Sequence, residues 1–425
     1  MTALSKLYSL VRSQAAVYLG AAILSRAGSL FLIPLYTRRL TLEEYGHYAL
    51  FLTLMTVLSM LLSLGLHSAI PSQYFSAEDR TEGKRRASEV ARWTAILVFG
   101  SGALVIAGIE CLAPEESSSL LGRDSLRLAA LGGAGMAISA VPWKLLRSEQ
   151  RAYAASAFQL LQFATMTGAG LVLVLVLDRG YAGAVEAAAV APVVSGLTSL
   201  IYILRLPRTG LQLLHLRHAL RFALPFLPHF AAQWLLGAAD LWILGKAGFE
   251  QELGSYSLAA QVVAPVNMVI AAWNLHVGPE MGERFRSGGV PEMRRHLSRV
   301  RLSYLGAATI PAAALLVGLP LVAWIVGPEF DSAIAFVPFL LLAILPDPLY
   351  FADFQVIYYS GRSGWIGGST VVAAVANVSL GLLLIPPFGA YGAVAARVAG
   401  AFVRALIVMY IARKITAQHT IEPPA

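Results

Sequence analysis

The sequence predicts an all-α integral membrane protein of about twelve transmembrane helices, in two six-helix bundles related by a pseudo-two-fold along the membrane normal. Three observations predict it: a composition too apolar for water, long unbroken apolar runs, and a weak internal repeat. Of 425 residues, 57% are hydrophobic and 13% charged, with a mean hydropathy of +0.67. Soluble domains are usually about a quarter charged. A bilayer solvates such a surface directly, and one crossing takes about 20 mostly apolar residues. Backbone groups in lipid pair within their own segment, so the crossings are read as helices. The runs are continuous and lack the alternation of a transmembrane β-barrel.

The first six crossings fall near 14–36, 46–69, 92–113, 126–147, 153–177 and 182–204. The second six fall near 219–244, 253–277, 300–325, 334–359, 364–386 and 391–412. The bundles are expected to span 1–207 and 208–425. The first run is too long for a signal-peptide core and leads into a second, so it reads as a crossing and not a cleaved leader. The longest polar stretches, 76–91, 205–218 and 280–299, are too short for a soluble domain.

Cations set the orientation. With the N-terminus inside, inner segments carry 23 Lys and Arg, including Lys84, Arg85, Arg86, Lys144, Arg147 and Arg151. Outer segments carry six: Arg38, Arg39, Arg123, Arg127, Arg179 and Lys246. Both termini are therefore expected in the cytoplasm, in a multi-pass protein of the inner (cytoplasmic) membrane. The net charge of +8 sits at the ends of apolar runs, so anionic headgroups explain it and no nucleic-acid partner is expected. The single cysteine, Cys111, excludes an internal disulfide. No His, Cys and Asp spacing suits a metal, and no cofactor is expected.

The repeat has three marks. Glu44-Tyr-Gly-His-Tyr-Ala-Leu50 resembles Glu252-Leu-Gly-Ser-Tyr-Ser-Leu258, an offset of 208. Pro71 meets Pro279 at the same offset, and Gly183-Ala-Val185 meets Gly392-Ala-Val394 at 209. Halves with an even number of crossings repeat in one orientation, an architecture of transporters that rock one half against the other.

The stretch Ser25-Arg-Ala-Gly-Ser-Leu-Phe-Leu-Ile-Pro-Leu-Tyr-Thr-Arg-Arg39, followed by Leu42-Glu-Glu-Tyr-Gly46 and Leu64-Gly-Leu66, carries a family resemblance. So do Leu224-Pro-Phe-Leu-Pro228 and Asp240 near Ile243-Leu244 in the second half. These resemble the polysaccharide-transporter (oligosaccharide flippase) family of the multidrug/oligosaccharidyl-lipid/polysaccharide exporter superfamily. The resemblance implies two six-helix bundles around a cationic central cavity. It implies movement of a polyprenyl-pyrophosphate-linked oligosaccharide, a surface-polysaccharide repeat unit, from the inner to the outer leaflet. Expected partners are that lipid-linked oligosaccharide, membrane lipids and polysaccharide polymerase machinery.

A charge at the bilayer centre costs at least about 2.5–3.5 kcal/mol, so each one calls for a reason. Arg26 sits mid-crossing among small neighbours and reads as a pyrophosphate contact or a structural partner of an acid. Arg397 and Arg404 lie seven apart on one face of the last crossing. They read as a cationic cavity wall, with headgroup snorkelling the alternative for Arg404. Arg26, Arg397 and Arg404 are the expected substrate contacts. Asp240 reads as an ion-coupling acid or as the partner of a cation. Asp347 and Asp353 lie in the run Leu345-Pro-Asp-Pro-Leu-Tyr-Phe-Ala-Asp353, where Pro346 and Pro348 interrupt the tenth crossing as a hinge, a binding site or a plain kink. His67, His229 and His276 read as structural histidines. Gln159, Gln162, Gln233, Trp234, Asn267, Asn274 and Asn377 suit sugar contacts or helix packing.

Two other functions share some of these features. A cation-coupled drug antiporter of the same superfamily favours an acidic cavity, whereas three mid-crossing charges here are Arg. A glycan polymerase or glycosyltransferase places catalytic groups on a sizeable outer loop, and the outer loops here are short. A non-enzymatic transporter is expected.

Overall fold

The computed structural model describes residues 20–21, 24, 31–112, 120–207, 210–362 and 364–418. Arg26 lies outside the described residues. Among the described residues every regular element is helical, and eight helical segments are long and apolar enough to cross a membrane. Large apolar side chains such as Leu104, Val317 and Trp324 are exposed along them. Polar groups such as Glu89, Asp240 and Asp353 are buried. That inversion is what a hydrocarbon solvent selects.

After a helical turn at 31–36 come α1 (Leu42–Ser63), α2 (Arg80–Leu112), α3 (Arg123–Ser148), α4 (Ala152–Gly170) and α5 (Gly180–Arg205). The amphipathic α6 (Leu213–Ala223) leads to α7 (Leu227–Lys246). Then follow α8 (Glu250–Val326), α9 (Asp331–Leu342), α10 (Asp347–Tyr359) and α11 (Gly364–Gln418).

Two elements exceed any bilayer: α8 has 77 residues and α11 has 55. Each is broken by glycine. In α8 the backbone leaves the helix at Gly288 and Gly289, the latter at φ +63°. In α11 it does so at Gly389, φ +55°, after Pro386 and Pro387. The left-handed region suits glycine because it lacks Cβ. Each break lies in the connection expected between two crossings. The polar stretch 280–299 is helical on both sides of its break. Short-range ion pairs support it there: Arg284 with Glu280 (2.7 Å), Arg286 with Glu283 (2.7 Å) and Arg295 with Glu292 (2.9 Å).

The chain forms two compact units: Met1–Leu40 with His47–Leu227, and Thr41–Gly46 with Pro228–Ala425. In the first, α3 and α5 touch backbone to backbone. A Cβ on Gly135 would lie 2.3 Å from the Pro192 carbonyl, and one on Gly196 2.7 Å from the Gly135 Cα. Helices in lipid gain little from apolar burial, so such close approach supplies van der Waals contact instead. A core of Leu62, Ile70, Val90, Val141 and Leu145 also takes in Ala219 and Ala223 of α6. The buried Glu89 ties down the start of α6, accepting from the Gln212 backbone N–H and pairing with His215 Nδ1 at 2.8 Å.

In the second unit the two copies of the repeated word pack on each other. Thr41 and Glu44 form a capping box at the start of α1, each side chain accepting from the other's backbone N–H (2.9 and 3.2 Å). A Cβ on Gly46 would meet Leu253 Cγ at 2.9 Å, and one on Gly254 would overlap the Leu42 carbonyl oxygen. Tyr45 is buried edge-on against Phe330, ring centroids 5.5 Å apart.

Gly254→Ala should therefore lower stability by roughly 1–3 kcal/mol, the usual result of overpacking. Gly306→Ala, on a helix face with nothing within 4 Å, should not. Melting of the detergent-solubilised proteins, followed by size-exclusion chromatography, checks the contrast.

Candidate substrate cavity

The second unit encloses a cavity of about 380 Å³. Its polar wall is Gln233, Asn267, Asp347, Tyr350, Arg397 and Arg404. That volume falls within the range of small-molecule sites, about 300–1,000 Å³.

Local sequence positions each group. Leu224–Phe226 forms a tight turn before α7, and α7 delivers Gln233 and Asp240. At the other wall α9 ends in a turn through Ala343–Pro346. Pro346 and Pro348 then open α10 as a new helix. A proline N–H is not missed in a first helical turn. The interruption thus places Asp347 at a helix start, where a carboxylate suits the helix dipole. On α11, Arg397 and Arg404 are two turns apart and line the cavity together, as their spacing predicts.

Neither arginine stands alone. Arg397 Nε donates to Asp240 Oδ2 at 2.8 Å, and a second guanidinium nitrogen donates to the Gly237 carbonyl at 3.1 Å. Asp240 is 1% exposed and also accepts from the Tyr256 hydroxyl and the Leu241 N–H. The Arg397 guanidinium sits 5.3 Å from the Tyr256 ring centroid. Arg404 donates to Asp347 Oδ1 at 2.6 Å and lies 4.3 Å over the Tyr350 ring. Its buried Nε has no protein partner.

Asp240, expected as an ion-coupling acid or as the partner of a cation, is paired with Arg397 in this structure. Arg397 and Arg404 line the cavity as expected, and each carries its own aspartate. The physical reason is the penalty of an unpaired charge at membrane depth. Asp353 follows the same rule. It is fully buried and takes a hydrogen bond from Arg301 at 2.6 Å, leaving Oδ2 unpartnered. Asn274 accepts nearby from Tyr304 (2.6 Å) and Gln355 (2.8 Å), a packing role. Of the histidines, His276 is tilted against Trp273 with centroids 5.4 Å apart, and His67 lies 3.5 Å from Ser63 Oγ.

Sequence reasoning missed Tyr256 and Tyr350, whose rings flank both guanidinium groups. Tyr256 lies inside the repeated word and Tyr350 follows the Pro-Asp-Pro run, the only signals that marked them.

The long apolar helices define a multi-pass membrane protein. An inward-facing MATE multidrug resistance transporter of the MOP superfamily aligns over 97% of this chain and 100% of its own, at TM-score 0.71 and 17% identity. Lipid II flippase MurJ in an inward closed conformation aligns over 96% of this chain and 91% of its own, at TM-score 0.74 and 12% identity. The model of the family described as "Polysaccharide biosynthesis protein" matches residues 11–277, and the chain belongs to that family. A relative in Haemophilus influenzae, Lsg locus putative protein 1, is 24% identical over 377 residues, 85% of this chain and 88% of its own length.

Breaking one buried pair leaves its partner charged and alone, at a cost of about 3–5 kcal/mol. Asp240→Asn and Arg397→Gln should each destabilise the protein by that order. The double variant should cost less than the sum of the two. A double-mutant cycle on thermal stability reads the coupling directly.

Proposed function

We propose that the protein is a flippase that moves a polyprenyl-pyrophosphate-linked oligosaccharide from the cytoplasmic to the outer leaflet by alternating access. The observation that carries the reading is Arg404 on the cavity wall, held by a single aspartate, with Nε left over. The polyprenyl tail is at home in lipid; the sugars and the pyrophosphate are not. Guanidinium groups bind phosphate oxygens through paired, charge-assisted hydrogen bonds. Asp347 holds Arg404 neutralised while the cavity is empty, and the phosphate takes the place of Asp347 on loading. Asp240, itself held by the Tyr256 hydroxyl and the Leu241 N–H, keeps Arg397 in position. Arg26 is the third proposed phosphate contact, on the strength of its place in the sequence. Membership of the polysaccharide biosynthesis family supports a glycan cargo, and transport without bond chemistry needs no catalytic constellation. Polymerase machinery would consume the exported unit.

A drug antiporter shares the fold. Its cationic cargo calls for surplus acid in the cavity, whereas each aspartate here is matched by an arginine.

Deletion of the gene should remove one surface glycan and build up its lipid-linked unit at the inner face. Arg404→Lys, which keeps a charge beside Asp347 but loses the guanidinium fork, and Arg26→Ala should insert at normal levels yet fail to complement. Full complementation by both would refute the phosphate contact. Normal glycans after deletion would refute the cargo.

The proposed orientation has its own readout. Cys111 is the one cysteine of the chain and is exposed, beside Glu110, whose carboxylate pairs with Arg127 at 2.7 Å. In right-side-out spheroplasts a membrane-impermeant maleimide should label it. Labelling only after lysis would invert the topology.

A further inference from the structure

The first unit holds a cavity of its own, about 230 Å³, walled by α3, α4 and α5. Ser139, Trp143, Phe158, Gln159, Gln162 and Ser195 line it, and no Asp, Glu, Lys or Arg does. Ser195 is 1% exposed, and its Oγ has no hydrogen-bond partner. The Trp143 Nε1–H is also buried and unpartnered. Buried polar groups are almost always satisfied, and two of the residues lining this cavity each carry one that is not.

The wall defines the ligand that suits it. Two amides and two hydroxyls offer both donors and acceptors, which matches a ligand made of hydroxyls. Two aromatic rings offer an apolar surface to its carbon face. No charged side chain lines the wall itself, and the Arg147 guanidinium is turned to the Trp143 ring, so the lining favours a neutral ligand. The volume is below the usual drug-sized range, so it suits one ring and not a chain of them. The geometry is held from behind. Arg147 lies 4.4 Å over the Trp143 ring, and Tyr202 meets Phe158 edge-on at 5.8 Å. Ser195 adjoins Gly196, which is locked against Gly135.

We propose that this cavity binds one uncharged sugar ring of the cargo. Lys144 and Arg147 lie against its Trp143, at the end expected at the cytoplasm, where the lipid-linked unit is loaded. The inference rests on the flippase reading for its biological meaning; the binding stands or falls by itself.

Saturation-transfer NMR on the full chain in nanodiscs tests it. The probes are free neutral hexoses, a 6-deoxyhexose and N-acetylhexosamines, with glucuronate as the charged comparator. Transfer to at least one neutral sugar and none to glucuronate is expected. Gln162→Leu, Gln159→Leu and Ser195→Ala, each checked for unchanged elution, should weaken binding roughly twofold to tenfold per hydrogen bond lost. Gly306→Ala, in the other unit and with nothing within 4 Å of the added methyl group, should leave it unchanged. No transfer to any neutral sugar, equal transfer to glucuronate, or binding that survives all three cavity substitutions overturns the proposal. Sugar binding together with normal glycans after gene deletion would sink the export reading and leave the cavity assignment standing.

Discussion

A guanidinium group at membrane depth must have a partner, and the second unit is organised around that requirement. Arg397 and Arg404 sit two turns apart on α11. Their reach fixes where the acids have to be: Asp240 on α7 and Asp347 at the start of α10. The prolines around Asp347 gain a purpose from this. They end α9 and restart the chain so that a carboxylate is delivered at a helix N-terminus, facing its arginine. Tyr256 and Tyr350 then cover the cations with aromatic faces, a further attraction in a desolvated setting.

Packing elsewhere follows a different rule. Lipid offers apolar side chains as good a home as a neighbouring helix does, so association depends on close contact. Gly135 against Gly196 and Gly46 against Gly254 allow no added methyl group. These contacts make stiff joints, because any change in them is a clash. An ion pair on a cavity wall is the softer joint, since another anion can take the place of the carboxylate.

Much of this was legible in the sequence. The apolar runs located the helices because lipid imposes one length and one character on each. Gly288-Gly289 and the Pro386-Pro387-Phe-Gly389 run lay in the connections where the backbone does leave the helix. The seven-residue spacing put Arg397 and Arg404 on one face. Their partners were not legible, because pairing depends on the rotation and height of separate helices, and sequence distance records neither. Arg397 and Asp240 are 157 residues apart. The uncharged cavity of the first unit shows the same limit. Gln159 and Gln162 stood out as polar residues in an apolar run. Their convergence with Ser195 and Trp143 requires three helices to be in place.

The balance of charge in the larger cavity bears on how a carrier could work at all. An unpaired arginine would bind phosphate tightly, but the empty protein would bear the cost of a bare cation in each cycle. A paired arginine removes that cost and sets the binding strength as a difference: the phosphate gains only what exceeds the aspartate it displaces. Passage needs a site strong enough to fill and weak enough to empty. In the flippase reading proposed above, Asp347 supplies the weakening, at the one of the two arginines whose carboxylate partner lines the cavity itself. Asp240 has two other partners, the Tyr256 hydroxyl and the Leu241 N–H, and does not line it, so Arg397 keeps its partner and its place. On this argument the two pairs divide the work: one is exchanged for cargo, and the other holds the wall against which the exchange occurs.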